Sequence, residues 1–115
     1  LFKFAGCVST HWVGIKPSEY FLLPITGRLK GDEDTSNAII SYIENNINNI
    51  DDQKIYFDHG TSGLDSLYST PQNKVNRILD SNSKNYKYLI FNDYDHYAPE
   101  FGSRFDRILE YLVIN

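Results

Sequence analysis

Lys54-Ile55-Tyr56-Phe57-Asp58-His59-Gly60-Thr61-Ser62-Gly63-Leu64-Asp65 is the stretch on which the fold turns. Its first part, 54–58, is β-branched and aromatic and stops at His59-Gly60, the pattern of a short buried strand bounded by turn residues. Two further runs share that pattern. Phe4-Ala5-Gly6-Cys7-Val8-Ser9 ends in small polar residues, and Tyr86-Lys87-Tyr88-Leu89-Ile90-Phe91 is closed by Asn92-Asp93. Helical periodicity lies between and after them. Ile39, Ile40, Ile43, Ile47 and Ile50 fall on one face of a 3.6-residue period, preceded by Asp32, Glu33 and Asp34, where a helix dipole favours negative charge. A second helix is expected to start with Thr70 as N-cap and Pro71 at its first position, and to bury Val75, Ile78 and Leu79. Phe105, Ile108, Leu109 and Leu112 mark a third. The order β-α-β-α-β-α predicts an α/β fold, with a parallel sheet, right-handed crossovers and helices over its faces.

Residues 13–36, holding Gly14, Pro17, Pro24, Gly27 and Gly31, show few helical or strand cues and are expected to form a long surface excursion. At 115 residues the chain is one domain at most, and 41% hydrophobic with 23% charged residues is a globular composition. A net charge of -4 with no basic stripe argues against nucleic acid as a partner. The single cysteine, Cys7, can form no internal disulfide. No apolar run reaches the roughly 18 residues needed to span a bilayer. The chain lacks Met and opens on an apolar run, so it is expected to be the C-terminal part of a longer domain, with further strands upstream of a thin, open-edged sheet.

In open parallel sheets, ligands bind beyond the carboxyl ends of the strands. Ser9, Thr10, His11 and Trp12 follow the first strand, His59 to Asp65 the second, and Asp93, Tyr94, Asp95, His96 and Tyr97 the third. A serine hydrolase needs an imidazole to take the nucleophile's proton and a carboxylate to orient that imidazole. In α/β-hydrolases these follow the nucleophile in the order acid, then histidine. An acid after one strand and a histidine after the next fit that order.

Three blocks resemble the esterase family of the α/β-hydrolases. They are residues 4–12, the stretch from Ile55 to Tyr68, and Asp95-His96 with Arg104 and the terminal Ile108-Leu109-Glu110-Tyr111-Leu112. The middle block is the most specific, and the match leaves out mainly 13–36. The resemblance implies a carboxylic ester hydrolase acting on a small-molecule ester, with His96 as general base and Asp65 as its carboxylate. Asp58 is the competing acid. No Gly-x-Ser-x-Gly nucleophile elbow occurs in these residues, so the serine and the oxyanion-hole amides are expected upstream, and the chain alone is expected to be inactive. No metal or organic cofactor is implied.

Other residues carry plainer alternatives. His11 and Trp12 are candidates for the substrate pocket, against a reading in which Trp12 packs over the sheet and His11 bonds backbone. A zinc site from His11, His59, His96 and Asp58 lacks the usual ligand spacing. Ser9, Ser62 and Ser66 read as turn or capping residues, and Gly60-Thr61-Ser62-Gly63 lacks the lysine of a phosphate loop. Two rival functions remain: a non-catalytic α/β binding module using 13–36, and a flavodoxin-like nucleotide binder with an anion near Gly60.

Overall fold

The computed structural model describes residues 2–114 and forms an α/β fold with a three-stranded, open, parallel sheet. Strands β1 (Phe4–Val8), β2 (Lys54–Gly60) and β3 (Tyr86–Phe91) lie in sequence order, with β2 in the centre. Phe4 pairs with Lys54 and Val8 with Asp58, whereas Ile55 pairs with Tyr86 and Gly60 with Phe91. All three strand ends therefore stop on one edge of the sheet.

Successive residues of β2 face opposite sides. Phe57 packs into the larger core with Ile40, Ile47, Val75 and Leu79, while Tyr56 packs on Ile108 and Leu112. The larger core is roofed by helices α2 (Glu33–Asn45) and α3 (Ser69–Ser81). Asp32 caps α2 by accepting from the Asp34 amide at 3.0 Å and the Thr35 hydroxyl at 3.0 Å. The isoleucine face read from the sequence does point inward, with Ile39, Ile43 and Ile50 packed around the buried pair. Helix α3 starts slightly earlier than expected. Its N-cap is Tyr68, whose carbonyl takes the Gln72 amide at 2.9 Å, rather than Thr70. Pro71 thus sits inside the first turn, where its missing N–H forfeits no helical bond.

The excursion at 13–36 holds a helix that its sequence pattern does not announce, α1 (Pro17–Thr26). None of its residues is buried, so no apolar stripe faces a core, and only its ends mark it. Pro17 stands at its start, and Gly27, at φ 70°, returns its N–H to the Leu23 carbonyl. The Glu19 carboxylate accepts the amides of Lys16, Lys30 and Gly31 at 3.1, 2.8 and 3.0 Å. These bonds fold the outgoing chain against the helix and, with the Lys30 amide foremost, hold the Glu19 carboxyl below its ordinary range. A bridge between Gly14 and Asp32 closes the base of the excursion.

The single closing helix expected from the pattern is two, α4 (Ala98–Ser103) and α5 (Phe105–Leu109), broken at Arg104 and continued by a π turn over Glu110–Ile114. Its buried stripe is narrower than expected: Ile108 and Leu112 are covered, while Phe105 and Leu109 remain 56% and 41% exposed. Among the described residues no helix is long and apolar enough to cross a membrane.

Close contact between α5 and β1 depends on Gly6. A Cβ there would stand 2.9 Å from Ile108 Cγ2 and 3.3 Å from Leu112 Cδ1. Gly6→Val should overfill this contact and destabilise the chain by about 1–3 kcal/mol, read as a lower urea midpoint. An unchanged midpoint would mean that α5 does not lie against β1 at this point.

Candidate active site

The site begins where β2 runs out. The Tyr94 carbonyl accepts the amides of Thr61 and Ser62 at 3.0 and 2.9 Å, so the loops after β2 and β3 are tied together. Gly60 makes this possible, because a Cβ there would fall 1.9 Å from that carbonyl oxygen. Gly63, at φ 56°, lies so close to the Asp95 carboxylate that a Cβ would be 2.2 Å from Oδ1. Two glycines therefore let the two loops interlock.

From this interlock a short 3₁₀ turn (Gly63–Leu67) presents Asp65, which is fully buried. Its Oδ2 accepts the Gly60 amide at 2.6 Å and the Ser9 hydroxyl at 2.7 Å, and its Oδ1 lies 3.1 Å from Nδ1 of His96. A carboxylate only accepts, so Nδ1 is the donor to it, and in the neutral ring Nε2 is then the nitrogen with the free lone pair. Backbone and packing both hold His96. Its amide donates to Asp95 Oδ1 at 2.6 Å, and its ring meets Tyr68 and Phe101 edge to face with centroids 5.9 and 5.1 Å away. Nε2 forms no hydrogen bond among the described residues. The ring, 33% exposed, borders a cleft of about 630 Å³ whose other wall includes Tyr20 and Leu23 of α1, with Arg28 and Leu29 beyond it. An imidazole held in this way can accept and return a proton at Nε2.

Asp58 is engaged elsewhere. Its Oδ1 is 3.1 Å from Nη2 of Arg104 and its Oδ2 accepts the Tyr56 hydroxyl at 2.7 Å. The same Nη2 donates to Ser9 Oγ at 3.0 Å. A continuous chain of contacts thus runs from His96 at the surface through the buried Asp65, Ser9, Arg104 and Asp58 to Tyr56. Arg104 is 1% exposed, and its guanidinium lies 5.2, 5.5 and 5.3 Å from the ring centroids of Phe91, Tyr94 and Phe101. Those rings are the company of Nε and Nη1, which have no hydrogen-bond acceptor. Burial, and then the bond to Asp58, raises the Tyr56 phenol well above its usual range, so it remains a donor.

The remaining sequence candidates separate. His11 is exposed, with Nδ1 2.8 Å from the Tyr68 hydroxyl and its ring centroid 6.3 Å from that of His96. Trp12 turns into the core, where it is 4% exposed, packs on Phe57 and donates from Nε1 to Gln72 Oε1 at 2.7 Å. His59 is buried with both ring nitrogens engaged, Nδ1 with the Gly60 carbonyl at 2.5 Å and Nε2 with the Tyr88 hydroxyl at 2.6 Å. Ser66 bonds the Gly63 carbonyl at 2.6 Å. Ser9, read as a turn residue, has φ 46° and a buried hydroxyl bridging Asp65 and Arg104. Nothing in the sequence marked that bridge, although an arginine inside the apolar closing pattern was a signal for Arg104. No protein-family model, curated protein or solved structure matches this chain.

Arg104→Met should leave Asp58 charged and uncompensated in the core, a loss of about 3–5 kcal/mol. Adding Asp58→Asn should restore part of it, and additive losses in the double variant would break the pairing. Burial, followed by the nearby His96, lowers the pKa of His11. Since the folded value lies below the unfolded one, its contribution to stability is intact above the ordinary histidine pKa and is lost as pH falls toward the folded value. An NMR titration should place the His11 midpoint below the free-histidine value, and His96→Gln should move it upward.

Proposed function

We propose that this chain carries the histidine and acid of a serine-type carboxylic ester hydrolase of the α/β-hydrolase class. The nucleophile and oxyanion-hole amides would lie on polypeptide outside these residues. One observation carries the proposal: His96 Nδ1 stands 3.1 Å from the buried Asp65 carboxylate while its Nε2 is unengaged beside a cleft. The acid follows β2 and the histidine follows β3 of a parallel sheet, the order such sites use. The resemblance of residues 55–68 to esterases points the same way.

In the proposed reaction His96 Nε2 takes the proton of a serine hydroxyl as its oxygen bonds to the ester carbonyl carbon. Asp65 keeps its charge and stabilises the imidazolium. The ester C–O bond then breaks, and the departing alcohol oxygen takes the Nε2 proton. Water, deprotonated by the same nitrogen, adds to the acyl carbon; the bond from that carbon to the serine oxygen breaks, the serine oxygen takes the Nε2 proton, and the acid is released. Asp58 serves Arg104 and takes no part in proton transfer.

The test uses the full-length protein with p-nitrophenyl acetate and butyrate, and a fluorophosphonate label for an activated serine. His96→Ala and Asp65→Asn should each lower kcat by roughly 10⁴-fold. Asp58→Asn should lower the melting temperature and leave kcat within about tenfold, as expected of a residue off the proton path. The 115-residue chain alone should turn over neither ester. A labelled, active protein indifferent to His96→Ala would sink the proposal, as would a full-length protein with neither label nor turnover.

A further inference from the structure

His11 is the one imidazole near His96 that the proposed proton transfers leave unused. We infer that His11 is a neutral hydrogen-bond donor from Nε2 to the leaving-group oxygen of the bound ester, acting beside His96; this rests on the esterase proposal above.

The tautomer follows from Tyr68. That side chain is fully buried, and its hydroxyl makes one hydrogen bond among the described residues, to His11 Nδ1 at 2.8 Å. If Nδ1 were the donor, the Tyr68 O–H would be buried with no acceptor, at a penalty of about 1–3 kcal/mol. The phenol therefore donates, Nδ1 accepts, and the ring proton resides on Nε2. Burial raises the Tyr68 phenol pKa well above its usual range, which keeps its proton in place. The burial and the nearby His96 imidazole that lower the His11 pKa favour the neutral ring.

Position supplies the rest. His11 follows β1 and His96 follows β3, yet both ends meet over Tyr68, whose ring touches the two imidazoles edge to face at 6.0 and 5.9 Å. An oxygen bonded head-on to a ring nitrogen lies about 4 Å from that ring's centroid. Where both Nε2 atoms turn to it, one oxygen can then bridge two rings with centroids up to about 8 Å apart, and these are 6.3 Å apart. In that bridge His96 gives its proton to the departing alkoxide while His11 only donates a hydrogen bond and keeps its own. Stabilisation of this kind grows with the charge that develops on the oxygen.

The full-length protein tests this with two butyrate esters, p-nitrophenyl and ethyl, which leave as a weakly basic phenolate and a strongly basic alkoxide. His11→Phe should lower kcat by roughly 100-fold for the ethyl ester and much less for the p-nitrophenyl ester, with KM little changed. His11→Gln, which keeps an amide N–H, should recover most of the loss. Tyr68→Phe should shift the neutral His11 ring away from a pure Nε2–H tautomer, read by ¹⁵N NMR. Equal losses on both esters, or no loss while His96→Ala still abolishes turnover, would overturn the role of His11 and leave the esterase proposal standing. Turnover that survives His96→Ala would overturn both.

Discussion

A guanidinium sealed beneath three aromatic rings joins the two ends of this chain. Arg104 stands at the break between α4 and α5, and its contacts reach Asp58 at the end of β2 and Ser9 at the end of β1. Burying two carboxylates, Asp58 and Asp65, side by side at one edge of a sheet is unfavourable unless each has a partner. Arg104 neutralises the first directly. It touches the second through Ser9, whose hydroxyl accepts from the arginine and donates to Asp65. The left-handed backbone of Ser9 fits this duty, since it holds a short hydroxyl where both charged groups converge.

The division of labour between the two aspartates is thus set by what lies above each of them. Asp58 and Asp65 are seven positions apart and both buried, and either could close a dyad on paper. Asp58 sits on the strand face covered by the closing helices, within reach of Arg104. Asp65 lies past the strand end, where the glycine interlock brings the His96 loop down onto it. The interlock depends on atoms that are not there, because a methyl group at Gly60 or Gly63 would occupy the place of Tyr94 or Asp95.

Much of this was legible in the sequence, for identifiable reasons. Short apolar runs closed by turn residues mark strands, and helices that roof a core carry a stripe, so β1, β2, β3, α2 and α3 announced themselves. Only β2 is buried as such runs lead one to expect, β1 and β3 being half-buried or exposed along their length. Helix α1 did not, because it buries no residue in a core and so needs no apolar period. The closing helix was legible as helix but not as two, since the break at Arg104 serves a tertiary contact. Asp65 and His96 were singled out by strand-end position and resemblance, and the structure places them 3.1 Å apart. Their partners Ser9 and Arg104 come from 56 and 95 positions away from the residues they join, a separation no local pattern encodes. Trp12 was ambiguous for a related reason. An indole suits a pocket or a core equally well, and the Gln72 acceptor that draws it inward is 60 positions distant.

Those separations also bear on how the molecule assembles. Asp65 and His96 are 31 positions apart and flank a single β2–α3–β3 crossover, whereas Ser9 and Arg104 are 95 apart. Closing the longer span from an open chain costs about 1 kcal/mol more in chain entropy. The crossover therefore has the easier nucleus, and the imidazole and its carboxylate can meet while both termini are still free. By the same entropy count, the bond between Ser9 and Arg104 is the costliest of these to close directly, and it becomes less costly once Asp58 and Asp65 have drawn in the two residues from spans of 46 and 56.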